Sequence, residues 1–195
     1  MGCVAIGRFG LKNMLKWFLF LGAILLLAST AGADPCGQAC TADYWRTLAP
    51  AAAAAAIRQI DLEARDGVDN TPLHHAACEA APEVLRHLVE AGADVNARNR
   101  FGWTPLMIAA GHGQSDQVRA LVDAGAGIGL TSNMGETALH FASQHGQSDT
   151  VLLLLALGAD PSLRTTQSQS ALDLARANPN VLFSAAYQAL REGME

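Results

Sequence analysis

The stretch Thr71-Pro72-Leu73-His74-His75-Ala76-Ala77, followed by a helix-like run that closes on Ala91-Gly92-Ala93-Asp94, decides the architecture, because it returns at a fixed interval. Thirty-three residues later stands Thr104-Pro105-Leu106-Met107-Ile108-Ala109-Ala110, closing on Ala124-Gly125-Ala126. The next step gives Thr137-Ala138-Leu139-His140-Phe141-Ala142, closing on Leu157-Gly158-Ala159-Asp160, and a last one gives Ser170-Ala171-Leu172-Asp173-Leu174-Ala175. Four occurrences in register outrank every other local signal. The chain is built from repeats.

Local chemistry turns each copy into a pair of helices. Thr71 is a good N-cap, and Pro72 fits the first helical position, where its missing N–H would have been unpaired anyway. Leu73, Ala76 and Ala77 share one side of a short helix, and the alanines permit close approach. A second helix runs through Val84, Leu85, Leu88 and Val89 at three- and four-residue spacing. Gly92 ends it as a left-handed C-cap. The polar segment that follows, with Gly102, is a turn. Leu73, Leu106, Leu139 and Leu172 share one core position, Leu85, Val118 and Val151 a second, and Leu88, Leu121 and Leu154 a third. No helix pair buries its apolar face alone, so every copy depends on its neighbours.

A Thr-Pro-Leu-His-x-Ala motif at a period of 33, with a closing Gly-Ala-Asp-x-Asn, resembles the ankyrin repeat family. The resemblance runs from about Asp43 to Arg191, and the lead-in Asp43-Tyr44-Trp45-Arg46-Thr47 is similar to that of exported bacterial members. It implies an all-α solenoid of stacked helix-turn-helix units joined by hairpin-like fingers, with a concave surface for a protein partner. It also implies a structural role for the motif histidines His74 and His140. Full repeats are expected at about 67–99, 100–132 and 133–165, with caps at 43–66 and 166–191. In the first cap, Pro50 and the alanine run to Ala56 continue through Ile60 as a helix, while Tyr44, Trp45 and Leu48 cover the open end. In the last, the break at Asn178-Pro179-Asn180 precedes a final helix from Val181 to Leu190.

The copies also differ. Ala126-Gly127-Ile128-Gly129-Leu130 has lost the charges of its counterparts and gained glycine, which predicts a looser finger or an apolar contact. Met107 stands where His74 and His140 stand, removing one histidine from the series.

The N-terminal segment is of another kind. Arg8, Lys12 and Lys16 precede an uncharged stretch from Trp17 to Ala28, and Ala31-Gly32-Ala33 supplies small residues before Asp34. Charged start, short apolar middle and small-residue exit describe a secretory signal peptide at 1–33, cleaved after Ala33, with a lead-in at 34–42. The apolar run falls short of the roughly 20 residues of a comfortable membrane span. Alternatives are an uncleaved N-terminal anchor and a start at Met14. The expected destination is a bacterial periplasm or the exterior, without a membrane attachment after cleavage. There, disulfides persist. Cys36 and Cys40 stand one helical turn apart, close enough to bridge and pin the new N-terminus; the alternative is two free thiols. Cys78, on a first helix, is expected to be a buried small hydrophobe.

The formal charge is −5, and the part beyond Lys16 holds no lysine and 10 arginines against 18 acidic residues. A surface of that sign argues against nucleic acid and, weakly, for a partner with a basic patch. No Gly-x-Ser-x-Gly, His-Glu-x-x-His, phosphate-binding glycine loop or Cys-x-x-Cys is present, so no catalysis, cofactor or metal site is expected. Asp94 and Asp160 are expected to satisfy backbone N–H groups in turns. His112 and His145, 33 apart, lie too far from each other to share a metal and are candidate surface contacts.

The expected function is therefore non-covalent binding of a protein by a monomeric solenoid, the alternatives being a spacer without a dedicated partner or a metal-binding protein. Contacts should lie in what varies between copies. The candidates are Asp69, Asn70 and Glu79 in the first repeat, then Arg98, Arg100, Phe101 and Trp103, then Asn133, Met134 and Glu136, with His112 and His145. Aromatic and arginine side chains at turn tips are characteristic of binding hot spots.

Overall fold

The computed structural model describes residues 42–193. The leader and the expected Cys36–Cys40 bridge lie outside the described residues. Among the described residues there are ten helices and no strands: α1 (Ala42–Thr47), α2 (Pro50–Ile57), α3 (Pro72–Glu79), α4 (Pro82–Glu90), α5 (Pro105–Gly111), α6 (Ser115–Asp123), α7 (Ala138–His145), α8 (Ser148–Ala156), α9 (Ala171–Ala175) and α10 (Ala185–Glu192). They stack in two rows. The odd-numbered helices form one row and the even-numbered helices the other, each helix packed on the equivalent helix of the next unit. None of them is long and apolar enough to cross a membrane.

The core follows the 33-residue register. Leu73, Leu106 and Leu139 are at most 1 % exposed, as are Leu85, Val118 and Val151 and the third set, Leu88, Leu121 and Leu154. Ala76, Ala109, Ala142 and Ala175 are fully buried, which is what lets the first-row helices approach closely. Gly92, Gly125 and Gly158 end the second-row helices with φ of 107°, 95° and 89°, a backbone that glycine adopts without a Cβ clash. Gly146 is small for another reason. A Cβ there would stand 2.6 Å from the Ala110 carbonyl oxygen and 2.8 Å from that of Ala142, neither of which can swing aside.

The ends are closed differently. Trp45 of α1 is fully buried, with Ala53 and Ile57 of α2, and Tyr44 and Leu48 pack partly against the core. Arg46 ties α1 to the first repeat by gripping Glu79, with Nε donating to Oε2 at 3.0 Å and Nη2 standing 2.8 Å from Oε1. At the other end, the expected helix from Val181 begins only at Ala185. Val181–Ser184 form a turn instead, because Phe183 takes a left-handed φ of 70° and the Ser184 hydroxyl caps the shortened α10 by accepting from Tyr187 N–H. Asn178 anchors that turn, its Nδ2 donating to the carbonyls of Ser143 and Gly146. Phe183 is left 90 % exposed.

Cys78 corrects an expectation. It is buried on α3, but as one half of a disulfide and not as a free thiol. Its bridging partner lies outside the described residues.

The motif histidine is structural. His74 is 1 % exposed; its Nδ1 accepts from the Thr71 N–H at 3.1 Å, which leaves Nε2 to carry the proton and donate to the Trp103 carbonyl at 3.0 Å. One ring thus caps its own helix and pins the next finger. His140 repeats the first half, accepting from Thr137 N–H, while Asp173 takes over in the final unit by accepting from Ser170 N–H and Oγ. Burial pushes the His74 pKa down to about 4, with nearby Arg65 and His75 adding to the effect and the Trp103 carbonyl and Asp66 opposing it. Burial likewise lowers His140. The unfolded chain therefore binds more protons between the ordinary histidine value of 6.5 and about 4, so stability is full above that window and is lost as pH falls through it. The His74 share is on the order of 3 kcal/mol. Urea midpoints measured across this range should fall steeply for the wild type. His74→Met, the residue the next repeat carries at that position, should flatten the fall.

Candidate protein-binding face

The fingers between helix pairs are built on one hydrogen-bonding device. Asp66 Oδ1 accepts from the N–H groups of Val68 and Asn70, and Asn99 Oδ1 from those of Phe101 and Trp103. Ser132 Oγ serves Met134 and Glu136, and Thr165 Oγ1 serves Gln167 and Gln169. All four residues stand 33 apart, and each closes its turn as an aspartate, asparagine, serine or threonine can. At the turn itself, Asp69, Gly102, Gly135 and Ser168 share a positive φ between 62° and 75°. Neighbouring fingers are then stitched together. Arg100 N–H donates to Val68 O, Asn133 N–H to Phe101 O, and Thr166 N–H to Met134 O, at 2.8–3.0 Å. Asp94 and Asp160 satisfy backbone N–H groups of Asn96 and Ser162 in the turns leading into the fingers.

This stitching absorbs several of the contact candidates. Arg98 donates from Nη1 to the Thr131 carbonyl at 2.6 Å and from Nη2 to Asn133 Oδ1, while Asn133 Nδ2 donates to Arg100 O. Arg100 stands 3.6 Å from the Asp69 carboxylate. Asn70 donates to Asp66 Oδ2 and accepts from Asn99 Nδ2 at 2.8 Å. Burial works against the Asp66 charge, yet the N–H groups of Asn70 and Val68 outweigh it and hold this carboxyl below the usual range; His75 Nε2 lies 3.0 Å from it. Glu79 is held low by Arg46. His112 and His145 both reach the surface, and partial desolvation of the His112 ring lowers its pKa despite the nearby Glu79. The glycine-rich segment is not loose: Gly127 N–H donates to Asn96 Oδ1 at 2.8 Å, and Ile128 and Leu130 pack partly against the core.

Among the finger candidates, two large apolar side chains remain available. Phe101 is 43 % exposed and Met134 47 %. The Phe101 and Trp103 rings lie 5.0 Å apart between centroids, and Trp103 meets Phe141 of α7 edge-to-face at 5.3 Å. Trp103 is half-buried and thus packs along the stack while keeping one side open. One unit further along, a cavity of about 390 Å³ lies between the last two fingers and the first-row helices, lined by Met134, Glu136, Gln144, Thr165, Gln169 and Leu174 among others. No group of three or more histidine, cysteine, aspartate or glutamate side chains among the described residues is arranged to hold a metal.

Phe141 and Gln144 were not among the sequence candidates. Phe141 sits inside the scaffold motif, but its position reads His75, Ile108, Phe141 and Leu174 across the units. That variation within an otherwise fixed motif was the available signal.

A family model for ankyrin repeats, in three copies, matches residues 73–165. These units are ankyrin repeats. The fold is accordingly an ankyrin repeat solenoid, and ankyrin repeats generally mediate protein–protein interaction and are typically non-enzymatic. No curated protein matches the chain significantly. The matched span contains every finger candidate from Arg98 to Glu136 together with Glu79, His112 and His145. The stretch that holds Asp69 and Asn70 precedes it.

Proposed function

We propose that this protein is exported and binds a protein partner through the face where the fingers meet the first-row helices. The observation that carries the reading is the open Phe101–Trp103–Phe141 cluster, an aromatic surface of the kind that dominates interface energetics. Its neighbours Arg98, Arg100 and Asn133 are engaged within the stack, so the cluster sits on a pre-organised base and loses little freedom on binding. Export is supported by the composition of residues 1–33 and by the disulfide at Cys78, a bond that persists in oxidising compartments and is rare in the cytosol. The destination we propose is a bacterial periplasm or the exterior, with the protein acting as a monomer, without cofactor, on a protein and not on nucleic acid or lipid.

Affinity capture from the native compartment with wild-type and Phe101→Ser baits tests this. Phe101 is a surface residue, so the variant keeps its fold. A protein recovered with the wild type should be strongly depleted with the variant. Equal recovery with both would place the binding elsewhere.

A further inference from the structure

We infer that the segment of the partner lying on this face carries a bulky apolar side chain and, about 10 Å away, an arginine or lysine. The inference rests on the proposed binding face and adds the chemistry of what it takes. Two adjoining features carry it. The first is the aromatic cluster, which spans the second and third repeats and offers an apolar surface whose neighbouring guanidinium groups are tied into the stack: Arg98 donates to the neutral oxygens of Thr131 and Asn133, and Arg100 faces Asp69. The second is the cavity one unit further on. Its ionisable lining residue is Glu136, whose Oε2 accepts from the Ser132 hydroxyl at 2.9 Å, and no arginine or histidine among the described residues stands within ion-pair distance of it. The remaining polar walls are neutral, from Gln144, Gln167, Gln169, Thr165 and Thr166. One carboxylate among amide and hydroxyl oxygens matches a cationic head with several N–H donors, and a guanidinium matches it best. A carboxylate from the partner would meet Glu136 with repulsion.

The two features are joined through one finger and one helix. Met134 lines the cavity and is carried by the finger whose Asn133 N–H is bonded to Phe101 O, and Gln144 stands one turn beyond Phe141 on α7. Neighbouring helices pack roughly 10 Å apart. An extended polyproline II-type chain rises about 3.1 Å per residue with three residues per turn, so side chains three positions apart point the same way across about that distance. The geometry points to an apolar residue and a basic residue in that spacing.

The test is selection of a phage-displayed random peptide library on the immobilised full chain at neutral pH, without reductant. Peptides enriched on the wild type should pair a large apolar residue with arginine or lysine three positions away. Binding of the strongest one, followed by fluorescence anisotropy, should weaken about tenfold in Glu136→Gln, which keeps a hydrogen-bond acceptor and removes the charge. Phe101→Ser should weaken it as well. Enriched peptides that lack a basic residue, or bind Glu136→Gln as well as the wild type, would overturn the inference. If those same peptides still depend on Phe101, the binding face stands and only the assigned chemistry fails. No enrichment at all, or indifference to Phe101→Ser, would count against both.

Discussion

Leu139→Ala should lower the unfolding free energy by about 3–4 kcal/mol and the melting temperature by roughly 10 °C. Leu139 is fully buried on α7, and α7 packs between α5 and α9 in the first row. The lost methyl groups cost their transfer free energy, and the alanines around the site leave little that can collapse into the space. The consequence should exceed that of a local defect. In a solenoid, stability is approximately the sum of weak intrinsic unit stabilities and strong interfaces between neighbours, and a central leucine serves two interfaces at once. Thermal and urea unfolding followed by far-ultraviolet circular dichroism checks this. A loss below about 1 kcal/mol would mean that the centre of the stack is not the cooperative unit.

Cys78→Ser should cost about 2–4 kcal/mol under oxidising conditions, the usual range for removing a constraint on the unfolded chain. The affected cysteine is 1 % exposed on α3, so the substitution also places a hydroxyl where a bonded sulfur sat. The discriminating measurement is the urea midpoint with and without dithiothreitol. The wild type should lose stability on reduction, and the variant should show no further change. A wild type indifferent to reductant would remove the bond as a stabilising element, and with it one of the two supports for export.

The fold was legible in the sequence because a period of 33 constrains many positions at once. Each leucine of the set Leu73, Leu106 and Leu139 is ambiguous alone, and together they define a row. The end of the chain was less legible. Val181 to Leu190 holds no glycine or proline to mark a later start, and the left-handed Phe183 and the capping Ser184 delay the helix to Ala185. Cys78 escaped for a different reason: its environment on α3 fits a small hydrophobe, and pairing is a property of two distant residues. The candidate face was partly visible. Arg98, Asn133 and Asn70 have the chemistry of contact residues, but they bond to neighbours 29 to 35 positions away, and a single repeat cannot reveal such bonds. Trp103 belongs to both categories, holding His74 through its carbonyl and presenting its ring beside Phe101.

The central claim is that this solenoid binds a protein through its finger-side aromatic face. The most direct test is a calorimetric titration of the captured partner against the wild type, Phe101→Ser and, on the second-row helix α6, Arg119→Ser. The expected result is a loss of about 2 kcal/mol or more for Phe101→Ser, as for a central aromatic anchor, with Arg119→Ser binding like the wild type. Equal affinity for the wild type and Phe101→Ser, with the loss falling on Arg119→Ser, would contradict it.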